Sequence, residues 1–137
     1  VIYQTLTLSF KAEILQGVQN LLTDTVKLAL YTSNATLDEN TTVYSSTNEI
    51  SGTGYSAGGK VLTGVTINTS NGVVYVNFNN AVWTPASFTA AGGLIYNASK
   101  SNKSIAVLSF GADKTATNTF TVQMPANTST SALLRFT

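Results

Sequence analysis

Apolar and polar residues alternate along most of this chain, with one interruption near its start. In "IYQTLTLSF", Ile2, Gln4, Leu6, Leu8 and Phe10 fall on one side and Tyr3, Thr5, Thr7 and Ser9 on the other. That is the pattern of a half-buried strand. "FKAEILQGVQNLL" then changes period, placing Phe10, Ile14, Leu15, Val18 and Leu22 on one helical face. It predicts one short helix near residues 10 to 20, its length limited by Gly17.

The two-residue period returns in "TVKLALYT", "KVLTGVTI" and "GVVYVNF", and "SNG" at residues 70 to 72 joins the last two as a hairpin. Further strands are expected at "GGLIYN", "SIAVLSF", "TFTVQM" and "ALLRF". Short strands punctuated by Asn, Gly and Ser indicate an all-β domain. The expected fold is an antiparallel β-sandwich, jelly-roll or Ig-like, with one short N-terminal helix, spanning residues 1–137 as a single domain.

Composition sharpens this picture. Only 9% of the 137 residues are charged and the net charge is +1, against roughly 25% charged in an ordinary soluble domain. Thr, Ser and Asn number 22, 14 and 13, so the exterior is neutral and hydrogen-bonding. No basic field is present to hold nucleic acid or an anionic membrane. The first residues show no signal peptide, and no apolar run reaches bilayer-spanning length, so a soluble protein is expected. The absence of Cys and His removes thiol chemistry, imidazole metal sites and the usual base near neutral pH.

Several stretches imitate known sites. "GTGYSAGGKVLTG" places Gly54, Gly59 and Lys60 at phosphate-loop spacing. However, Val61 stands where a hydroxyl would ligate magnesium, and β sequence follows instead of a helix. The glycines therefore read as a turn. Asp38, Asn40, Thr42 and Glu49 match the first, third, fifth and last places of a calcium loop, yet Val43 occupies the required glycine position. That segment reads as an oxygen-rich surface loop. Six Asn-x-Ser/Thr sequences are expected from composition alone. Asp38 and Glu39 are adjacent, so their side chains diverge rather than flank a bond; a glycosidase pair brought together by folding stays open, and Trp83 being the only tryptophan counts against it. Trp83, Phe88 and Tyr96 read as core aromatics, and Lys100 and Lys103 as solvated charges on a hairpin tip. No enzyme chemistry, cofactor or metal is expected.

Taken in order, "YQTLTLSFKAEILQGV", "TDTVKLALYTSNATLDENTTVY", "NEISGTGYSAGGKVLTGV", "FTAAGGLIYNASK" and "AVLSFGADKTATNTFTVQMPANTSTSALLRF" resemble a family of small tailed-bacteriophage proteins over nearly the whole chain. The resemblance implies a virion structural protein with no catalytic residue to carry across. A capsid decoration (cement) protein, bound outside the major capsid shell and bracing it, is the favoured form. A tail or fibre component and a glycan-binding module at the virion surface are the alternatives. Expected partners are the major capsid protein and further copies of this chain, a trimer being one such assembly, with neither nucleic acid nor membrane. Ile2, Leu6 and Leu8 are the expected interface residues, because an apolar-faced strand at a chain end can extend a neighbouring sheet. The alternative is an ordinary strand in its own sheet.

Overall fold

A computed structural model of the chain describes residues 1–136. The long strand expected at the start is largely replaced. Only Thr5–Leu6 forms a strand, β1, and helix α1 (Leu8–Leu15) begins before the alternation ends. Thr7 causes the switch: it is extended, fully buried, and its Oγ1 accepts a hydrogen bond from Phe10 N as an N-cap. The helix stops at Gln16, where Gly17 takes φ +74°. Its buried anchor is Phe10, whereas Leu15 and Leu22 are 88% and 61% exposed. The predicted helical face is therefore only partly the packed one.

The remaining strands are β2 (Val26–Tyr31), β3 (Lys60–Val61), β4 (Thr66–Ser70), β5 (Val73–Asn77), β6 (Ala81–Trp83), β7 (Phe88–Asn97), β8 (Lys103–Ala116), β9 (Phe120–Val122) and β10 (Leu134–Phe136). They form three antiparallel sheets in the orders β1-β8-β7-β2-β3, β10-β5-β4 and β6-β9. None is closed into a barrel. The fold is thus mostly β with one short helix near its start.

The five-stranded sheet is buried on both faces along β2 and β7, so these strands read as nearly continuous apolar runs. On one face Leu28, Leu30, Ile95 and Ile105 join Phe10, Val76, Trp83, Phe120 and Leu134 in the larger core. Residues from all three sheets and α1 meet there. On the other face Ala29, Tyr31, Leu94, Tyr96 and Val107 are covered by Ala35, Leu37, Tyr44 and Ile2. Each fully buried Leu, Ile or Phe contributes about 1.5–3 kcal/mol. Gly92 makes this second layer possible. A Cβ there would stand 2.5 Å from Leu108 O and 2.9 Å from the Ile2 side chain.

Candidate functional site

The chain's first residues are fastened within its own fold. Ile2 forms a parallel bridge with Leu37, and Tyr3 N donates to Leu37 O at 2.9 Å. Thr5 and Leu6 pair with Val107 and Ala106 of β8, and Leu8 N donates to Glu39 O at 2.9 Å. Ile2 and Leu6 pack inward. Leu8, at 48%, and Tyr3, at 62%, stay exposed. Of the three expected interface residues, the structure thus turns two toward the core and leaves one facing solvent.

The glycine-rich stretch is a turn followed by a strand. Gly54, Gly58 and Gly59 take φ +86°, +95° and +82°. A Cβ at Gly54 would overlap the Pro85 carbonyl oxygen, and one at Gly59 the Leu28 carbonyl oxygen. Lys60 enters β3, its Nζ donating to Val82 O at 2.6 Å and lying 5.9 Å from the centre of the Trp83 ring. The next residues pair with β2, so the backbone amides are not gathered at a helix end.

The calcium-like segment closes on itself. Asp38 Oδ1 accepts from Asn40 N at 2.8 Å, while Asp38 N donates to Thr41 Oγ1 at 3.0 Å. Glu49 points elsewhere. Among the described residues no three His, Cys, Asp or Glu side chains stand together as an ion site.

Glu49 is the centre of a polar cluster that the sequence did not reveal. Asn48, at φ +61°, turns the chain so that its carbonyl and Ile50 N bond the end of β2, which places Glu49 beside Tyr31. Tyr44 Oη donates to Glu49 Oε1 at 2.6 Å. Tyr55 Oη and Gly58 N, the latter at 2.8 Å, donate to Oε2. Tyr55 Oη also accepts from Leu30 N at 3.0 Å, and Tyr96 Oη donates to Gly58 O at 2.5 Å. Tyr44 stacks on Tyr96 with ring centres 4.8 Å apart, while Tyr31 Oη donates to Ser45 O at 2.6 Å. Burial, and then Glu49, push the phenols of Tyr31, Tyr44, Tyr55 and Tyr96 above their ordinary range. They remain protonated donors. Both carboxylate oxygens already carry protein donors, so the cluster fastens residues 44–58 to β2 and β7. The available signal was slight: Glu49 is the sole carboxylate between Glu39 and Asp113, with Tyr44 and Tyr55 close on either side.

The hairpin-tip lysines pair across to other elements, Lys100 with Asp24 at 3.8 Å and Lys103 with Glu13 at 3.4 Å. Burial alone would raise the Asp24 carboxyl. Asn20 N–H, the Asn97 amide and Lys100 outweigh it and hold the carboxyl below the usual range. Asn97 is fully buried in these bonds. Trp83 and Phe88 are core residues in edge contact at 6.4 Å, and Tyr96 is buried on the opposite face of the sheet.

Several open clefts mark the surface, and three of them adjoin the segments already described. One of about 420 Å³ lies between β8 and β9 over Phe110 and Phe120. A second, of about 370 Å³, joins Tyr3 and Thr5 to Asp38, Glu39 and Asn40. The third, of about 440 Å³, separates α1 from the β10-β5-β4 sheet. Comparison of the chain with protein-family models, curated proteins and solved structures returned no match.

Proposed function

We propose that this chain is a non-enzymatic structural protein of a tailed-phage virion, serving as a capsid decoration (cement) protein on the outer face of the major capsid shell. The observation that carries the reading beyond sequence resemblance is the exposure of large apolar side chains on a scaffold with only 9% charged residues. Tyr3 and Leu8 face solvent on a segment pinned by β8 and by residues 37–39. Interface cores are depleted in charge and enriched in aromatic residues. A segment already fixed in place also loses little further entropy on docking. In this reading Ile2 and Leu6 hold the segment, while Tyr3 and Leu8 meet the shell. The three sheets packed around one apolar core act as a β-sandwich brace.

Rebinding of purified protein to particles lacking it tests the proposal. Tyr3→Ser combined with Leu8→Lys should weaken rebinding at least tenfold while circular dichroism stays native. Leu15→Lys, an exposed apolar position outside that segment, should bind normally. Unimpaired rebinding by the double variant would contradict the assignment.

A further inference from the structure

Among the described residues six strands end a sheet, and β4 is the longest of them, with five residues against two or three in β1, β3, β6, β9 and β10. Exposed edges are normally blunted by charge, proline, bulges or brevity. β3 carries Lys60, which also closes a carbonyl of β6, and β10 carries Arg135. Past its pairing with β1, β8 is bulged and bears Asp113 and Lys114. β4, "TINTS", has no charge and no proline, keeps an unbroken register with β5, and is exposed at every residue. Asn127 donates to Thr66 and Asn71 donates to Ser129, so these hydrogen bonds of the 127–129 segment fall at the two ends of this hairpin.

The inner face of the same sheet is under-covered. Leu134 and Val76 are buried, yet Ile67 and Val74 remain 41% and 39% exposed at the mouth of the 440 Å³ cleft beside α1. We propose that β4 pairs antiparallel with β4 of a second copy, Asn68 opposite Asn68, Ile67 opposite Thr69 and Thr66 opposite Ser70. A second copy suits this edge because a neutral strand meets itself without like-charge repulsion. In that register all five residues overlap. The two-fold axis then runs perpendicular to the sheet, so both inner faces lie on the same side and each Ile67 gains the partner's apolar layer. Five residues span only about 17 Å, so the pair is weak and concentration-dependent. The pairing gives a surface to the self-association within the virion reading, but its test requires no virion.

The chain has no cysteine, so a single introduced thiol reports the register. Opposed Cα atoms in an antiparallel pair lie about 4.5–5.5 Å apart, within disulfide reach. Asn68→Cys should therefore form an intermolecular disulfide under mild oxidation of the full chain. Thr66→Cys, about 14 Å from its symmetry mate, should do so at least tenfold more slowly. Sedimentation of the unmodified protein should show dimer increasing with concentration. Asn68→Lys should weaken the dimer at least tenfold with native circular dichroism. Equal crosslinking at both positions, a monomer at every concentration, or a trimer indifferent to Asn68→Lys would overturn the proposal. A protein that decorates particles without this pair refutes the pairing alone; a pair without decoration refutes the virion reading alone.

Discussion

Replacing Glu49 by Gln keeps the side chain's shape and reverses half of its hydrogen-bonding character. The carboxylate now accepts from Tyr44, Tyr55 and Gly58 N. A glutamine oxygen can keep one side of this arrangement, but its NH₂ would face donors on the other. Turning a charge-assisted bond into a neutral one costs about 1 kcal/mol, and an unsatisfied donor about 1–3 kcal/mol. Glu49 is only half-buried, so water recovers part of this, leaving a net loss of about 2–3 kcal/mol. With an unfolding entropy of about 2.1 cal/mol/K per residue, the 137-residue chain should lose about 7–10 °C in Tm. Calorimetry of Glu49→Gln measures this directly. Glu39→Gln, an exposed carboxylate, should shift Tm by less than about 2 °C. Tyr55→Phe combined with Glu49→Gln should be markedly non-additive, because both changes act on one network. A Glu49→Gln midpoint within about 2 °C of the unmodified protein would refute the claim that this cluster fastens residues 44–58.

Gly59 and Gly72 share positive φ, +82° and +77°, but a Cβ at Gly72 meets nothing within 4 Å, whereas one at Gly59 overlaps the Leu28 carbonyl. Urea unfolding should therefore show a cost of about 1 kcal/mol for Gly72→Ala and about 2–4 kcal/mol for Gly59→Ala; equal costs would contradict the close approach. Alkaline stability follows from the raised phenols. The unfolded chain loses its phenolic protons near the ordinary value of 10.0 while the folded chain keeps them. Stability should accordingly be intact below pH 10 and fall as pH rises above it. Tyrosinate absorbance from Tyr31, Tyr44, Tyr55 and Tyr96 should appear together with loss of near-ultraviolet circular dichroism, not before it.

The periodic segments were legible because their faces are sorted. β5, with its turn at Asn71 and Gly72, follows the alternation and its hairpin signal closely, and β2, β9 and β10 fall within predicted runs. β7 and β8 outrun theirs: β7 starts at Phe88, and β8 continues to Ala116, into "GADKTATN", which the pattern left outside the strands. "KVLTGVTI" divides into β3 and β4, since Gly64 at φ +66° turns the chain between them. β6, with only three residues beside Pro85, carries too short a pattern to read. The start of the chain misled for a different reason. Leu6, Leu8 and Phe10 satisfy a strand period on paper, but the buried Thr7 hydroxyl caps a helix in the middle of that run. Sequence spacing also hid the Glu49 cluster: its direct partners Tyr44, Tyr55 and Gly58 are near in sequence, but their docking onto Leu30 of β2 and Tyr96 of β7 depends on tertiary packing. The turn character of the glycine stretch was readable because its φ requirement is local. The second buried face of the five-stranded sheet was not, because it depends on loop residues 35–44 packing over it.

The proposed capsid role is decided by imaging intact phage particles with an antibody against this chain. A capsid decoration protein should give label distributed over the outer capsid surface, with the signal lost from particles whose copy of this chain is deleted and restored when purified protein is added. Label confined to the tail or its fibres, or absent from purified particles that otherwise contain their full set of structural proteins, would contradict it.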